Sequence, residues 1–224
     1  MSNANLVRWS GPACLLAGVL QVIGALRHPV SENLGVPISV SNWVPVHLVL
    51  WAAHYERYGF KENHPHWVSV HLILWVSGLL MLLGLVGLYI RQAETTGWLG
   101  LISFALAFIG IAIGEVLSIV SIIIPLFAPI DRAITSQTVF GSSTTTPAFL
   151  LPFALGLILF GAAIMCAGGL PRGAGVLLII GTVLQMAEES RMDPIHLHVI
   201  LTVGRVAFGL SFAWIGYALW PEKR

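Results

Sequence analysis

The sequence predicts an all-α integral membrane protein, a six-transmembrane-helix bundle forming a single multi-pass domain over residues 1–224. Three observations carry that expectation. Only 9% of the residues are charged and 57% are hydrophobic, whereas an ordinary soluble domain is roughly 25% charged. Six apolar segments approach the ~20 residues that one helical crossing of a ~30 Å hydrocarbon core requires. No series of short strands with alternating polarity points to a barrel, and backbone groups in lipid must be satisfied within the segment, which favours helices.

The first predicted span covers 9–27. Arg8 precedes it as a leader's basic residue would, but no small-x-small cleavage site precedes Arg27-His28-Pro29, so it reads as a retained span. The connection 28–66 contains NWVPVHLVLW (42–51), and HWVSVHLILW (66–75) nearly repeats it with seven of ten positions identical. The first copy is too short to cross. If helical, it places His47, Trp51, His54 and Tyr58 near one face, as an interfacial amphipathic helix between spans one and two would. The second copy opens the second span, 67–90.

The third span, 98–127, is long enough that it must tilt or protrude. Its Gly110 and Gly114 make a small-xxx-small face suited to close helix packing. A Ser/Thr-rich stretch, Ser136 to Pro147, reads as an exposed loop. The fourth and fifth spans, 148–170 and 173–189, are joined by GGLPRGAG, a Gly-rich turn short enough only for a tight hairpin. Asp193-Pro194 is a favourable helix start for the sixth span, 195–220.

An even span count puts both termini on one side. That side carries Arg8, Arg91, Arg172, Lys223 and Arg224, against Glu94 and Glu222 as its acids. The opposite side has as many basic residues among seven acids. Lys and Arg counts therefore tie, but the short basic connections favour cytoplasmic termini in a cell inner membrane. A net charge of +1 without a basic patch gives no footprint for nucleic acid. Cys14 and Cys166 both fall in apolar segments and read as small buried hydrophobes.

With six spans, all eight histidines fall on the side opposite the termini. The predicted metal ligands are His47, His71, His196 and His198, since imidazole suits zinc, copper, iron and the axial position of a tetrapyrrole. The predicted ligand-binding set is His71, Glu115, Gln185, Glu188, His198 and Arg205. Ionisable residues within spans are costly unless partnered, by at least about 2.5–3.5 kcal/mol. Arg205 is therefore expected to pair with Glu115, or with Glu188 under another helix order. His196 and His198 would point nearly opposite ways on a regular helix, which weakens a shared metal role.

Three functions fit this pattern. The leading one is binding of a ligand, metal or cofactor at a His/Glu-rich non-cytoplasmic face. The second is a structural or accessory subunit, with membrane-protein partners or a homo-oligomer beside the lipid bilayer. The third is an intramembrane enzyme or transporter for a lipid-like or small polar substrate, with Glu or His as acid/base. No nucleotide loop, nucleophile elbow or CxxC motif is present.

Overall fold

A computed structural model describes residues 3–27, 65–127, 145–186 and 194–220. The described residues are entirely helical apart from one tight turn and the residue closing the last helix. The helices are α1 (Asn3–Arg27), α2 (Pro65–Phe127), α3 (Thr145–Ala167), α4 (Arg172–Met186) and α5 (Pro194–Leu219). The interfacial helix expected in 28–66 lies outside the described residues, as does the Ser/Thr-rich loop's start.

The 63 residues of α2 would run about 95 Å if straight, three times a hydrocarbon core. They do not run straight. Gly97 has φ 53° and ψ −135°, a conformation open to glycine and strained for other residues. There the chain reverses, and its two arms, 65–96 and 98–127, pack antiparallel. Tyr89 and Phe104 stack across the seam with ring centroids 4.6 Å apart. The residues 91–96, which lie between the second and third expected spans, are helical. Gln92, Ala93 and Glu94 are good helix formers, so one glycine suffices to make the turn.

The bundle is a closed ring. α1 packs on α2, α2 on α3, α3 on α4, α4 on α5, and α5 returns to α1, whereas α2 and α5 meet only marginally. Every adjacent pair of rods is antiparallel. A β-carbon on Gly11, near the start of α1, would meet the backbone of Leu219 and Trp220 at the end of α5. The described ends of the chain therefore share one end of the bundle, and α2 and α5 both begin at the other. The α3–α4 hairpin turns through Gly168 at φ 68°, and the Ala174 amide bonds the Pro171 carbonyl at 3.0 Å.

One core cluster draws on all five helices, with buried residues spaced by three or four, as at Met81, Leu85 and Leu88 or Phe208, Phe212 and Ile215. Phe153 of α3 meets Phe208 of α5 across the interior, centroids 6.2 Å apart. The outward stripes are equally apolar: Leu16, Val19 and Ile23 on α1, Ile109, Ile113 and Val116 on α2, Val176, Ile180 and Val183 on α4 are all exposed. Water would not tolerate so much apolar surface, and these helices point to contact with a lipid bilayer. Because lipid removes the hydrophobic drive between helices, close backbone packing must hold the ring together. Glycines supply it: a β-carbon on Gly156 would run into the Leu106–Ala107 backbone, and one on Gly18 into Gly209 and Ala213.

Three helical segments are long and apolar enough to cross a membrane: Val7–Arg27, Ser69–Val116 and Val199–Leu219. The helices at Leu151–Ala167 and Arg172–Met186 are apolar but shorter. The expectation of six separate crossings is therefore not supported by length and composition. The physical reasons are specific. The apolar segment Ser69–Val116 runs through the reversal at Gly97 and counts once, and the 15 residues of α4 reach only about 22 Å. Cys14 is buried as expected, but Cys166 is exposed near the end of α3.

Candidate functional site

The C-terminal arm of α2 carries an inward stripe at Ala107, Ile111 and Glu115, each four residues apart, of which Ala107 and Ile111 are buried. The N-terminal arm presents Gly78 and Met81 to it. Glycine at 78 is what admits a carboxylate here, because a β-carbon would collide with Glu115 Oε1. Glu115 Oε2 is buried and has no hydrogen-bond partner among the described residues. Gly78 lies nine residues beyond Ser69, so this oxygen sits about 13 Å along the arm from the start of the apolar segment.

The turn holding Gly78 also carries the polar contact between α1 and α2. Ser77 is fully buried. Its Oγ donates to the Ala17 carbonyl at 2.8 Å and lies 3.3 Å from Gln21 Oε1. His71 is half-buried, seven residues before Gly78, and a helix places i and i+7 on nearly the same face. It is engaged by a partner. His71 thus stands about 10 Å from Gly78 along the arm, toward the end where α2 and α5 begin.

The other expected site residues lie elsewhere in the ring. Gln185, in α4, donates from Nε2 to the Gly181 carbonyl of its own helix at 3.1 Å. Gly204 packs against Leu184 and the Gln185 backbone in the α4–α5 seam, and Arg205, the next residue, lies about 100° round α5 from that contact. Arg205 is half-buried and engaged. Glu115 Oε2 is not its hydrogen-bond partner. His196 and His198 sit in the first turns of α5, at the same end of the bundle as the start of α2. His47 and Glu188 lie outside the described residues.

The described candidates thus lie on three helices, His71 and Glu115 on α2, Gln185 on α4 and Arg205 on α5. Among the described residues no three or more His, Cys, Asp or Glu side chains gather to hold a metal. Sequence reasoning overlooked Gln21, Ser77 and Gly78. Gln21 and Ser77 are polar residues inside apolar runs, which is a usable signal. Gly78 carried none, since its role depends on the register of the two arms. Gln92 was overlooked too: it extends the Leu85–Leu88 stripe and is buried, and its Nε2 has no partner among the described residues.

An ionised carboxylate only accepts hydrogen bonds. Unpartnered within an apolar helix pair, it is a strong acceptor in a medium where unmet polar groups are expensive. It can hold a donor or a positive charge. No family model matches the chain, and neither a curated protein nor a solved structure is detectably similar to it.

Proposed function

We propose that this chain is a multi-pass inner-membrane protein that binds a ligand at Glu115, reached from a histidine-bearing, non-cytoplasmic end. The observation that carries the reading is the buried Glu115 Oε2, left without a partner among the described residues while its carboxylate is held against Gly78. A charged group inside a span is a functional-site hypothesis by default, because stability alone would remove it.

The same reading takes the chain across the membrane six times with both termini cytoplasmic. The antiparallel ring supports it, since the two arms of α2 form separate rods and the described chain ends meet. So do Trp9, Trp98, Tyr217 and Trp220, which are exposed at 59%, 78%, 73% and 52% and all lie toward that end. Such aromatic residues concentrate at lipid–water boundaries. The 28–66 connection then forms the opposite interface, with its Trp-His-Trp phrase as anchor. The proposal includes neither partner subunits nor a catalytic step.

The test is analysis of protein extracted directly from membranes into lipid discs, by elemental analysis, absorption spectroscopy and mass spectrometry of released small molecules. Wild-type protein is expected to carry a stoichiometric ligand that Glu115→Gln has lost. Folded wild-type protein free of any metal, chromophore or small molecule would overturn the reading.

A further inference from the structure

We propose that the end of the bundle where the described chain ends meet is a docking surface for anionic phospholipid headgroups, held by Arg8, Arg91 and Arg172. The inference does not depend on what Glu115 binds.

The three arginines reach that end from three helices, and all are exposed. Helix packing sets their heights. Gly84 of α2 packs against Cys14 of α1. Arg8 lies six residues before Cys14 and Arg91 seven after Gly84, so they stand about 9 Å and about 10 Å beyond that contact, in the same direction. Gly181 of α4 packs on the Phe208 backbone of α5. Nine residues from that contact come Arg172 on α4 and Tyr217 on α5, level with each other, and Trp220 is less than one turn further on. The contact of Gly11 with Leu219 and Trp220 brings these last residues to the start of α1.

Charge complementarity names the partner. Among the described residues at this end the acid is Glu94, which leaves the arginines in excess. Arg172 is the first residue of α4, where the helix dipole favours an anion over a cation. A guanidinium there gains from a negative group supplied from outside the chain. Guanidinium meets phosphate through two parallel hydrogen bonds.

Depth selects a lipid over a soluble polyanion. Trp9 follows Arg8 and Trp98 follows the reversal at Gly97, and both are exposed, as are Tyr217 and Trp220. Such side chains settle at the headgroup level. The outward apolar stripes begin just below, with Leu16 and Val19 on α1 and Leu83 and Leu79 on α2. The arginines therefore stand at the height of the lipid phosphates, and their long stems let each guanidinium rise to one. Each arginine near an anionic surface strengthens association about fivefold.

The experiment reconstitutes the full chain in phosphatidylcholine vesicles with a trace of spin-labelled phosphatidylglycerol or spin-labelled phosphatidylcholine, and reads the motionally restricted fraction of each label. Wild-type protein is expected to prefer phosphatidylglycerol, and the preference should fall in concentrated sodium chloride, which screens exposed charges. The triple variant Arg8→Gln, Arg91→Gln, Arg172→Gln should associate with the two lipids equally. Arg27→Gln, which removes an exposed arginine from the opposite end of α1, should keep the wild-type ratio. Each single variant at the three positions should lower the ratio part way, and these carry the test if the triple variant fails to fold. Glycerol 3-phosphate should displace no more phosphatidylglycerol than sodium chloride of equal ionic strength. Equal association of both lipids with wild-type protein overturns the proposal. So does an undiminished preference in the variants, or a loss in Arg27→Gln as large as in the triple variant. Displacement by glycerol 3-phosphate beyond the salt effect also overturns it, because the site would then take a free phosphate.

Discussion

The Glu115 carboxylate lies across Gly78, occupying the space that a β-carbon at position 78 would need. The contact ties the two arms of α2 at a chosen register and fixes where the carboxylate points. Glu115 Oε1 ends a flexible side chain that can swing aside, so Gly78→Ala is expected to cost no more than about 1 kcal/mol, the low end of overpacking penalties. Glu115→Ala removes the obstacle, so the double variant should recover part of that loss, a coupling of about 0.5 kcal/mol. Unfolding of the two single variants and the double variant in mild detergent measures it. Additive effects would mean that the two residues do not touch.

The seam between α1 and α5 depends on backbone contact at Gly18, against Gly209 and Ala213. Backbone cannot rotate away as a side chain can. Gly18→Leu should lower stability by about 3 kcal/mol or more, near the upper end of overpacking penalties. Gly169 has nothing within 4 Å of an added β-carbon, so Gly169→Ala serves as control. It is expected to stay within about 0.5 kcal/mol of wild type. Thermal unfolding of both variants decides the point.

Gly97 faces open space, so substitution there tests conformation alone. With φ at 53°, a β-branched residue is strained by about 1–3 kcal/mol. Gly97→Val and Gly97→Asn should both destabilise by that order, because asparagine's tolerance of positive φ is confined to the left-handed helical region near ψ of about +47°, far from the ψ of −135° found here. A midpoint below wild type in both variants is the expected readout.

The cysteines differ in access. Cys14 is fully buried beside Gly84, whereas Cys166 is exposed. A small maleimide should modify Cys166 in folded, detergent-solubilised protein and reach Cys14 only after denaturation. Mass spectrometry of the modified peptides distinguishes the sites. Rapid modification of Cys14 in folded protein would show that α1 does not pack as described.

Helix identity was legible in the sequence because apolar runs bounded by charge, glycine and proline mark helix ends. The spans expected at 9–27, 148–170 and 195–220 fall on α1, α3 and α5 within a few residues, apart from a longer N-terminal start to α1. The spans expected at 67–90 and 98–127 leave 91–97 between them, and there residues 91–96 are helical and Gly97 alone makes the reversal. Glu115 was legible as a charge in an apolar run. Its setting was not, because Gly78 is 37 positions away and only the arm register brings them together. Gln185, also expected in the site, donates from Nε2 to the carbonyl four residues back, as an amide in a helix can.

The arrangement of a polar centre reached from one face depends on how the rods cross the bilayer. The most direct test uses single cysteines at His66, Trp98, Arg172 and His196 in a chain with Cys14 and Cys166 replaced by alanine. Intact cells and inverted membranes are each labelled with a membrane-impermeant thiol reagent. The account predicts labelling at 66 and 196 from the outside only, and at 98 and 172 from the cytoplasmic side only. Labelling of 66 and 98 from the same side, or of 66 and 196 from opposite sides, would contradict it.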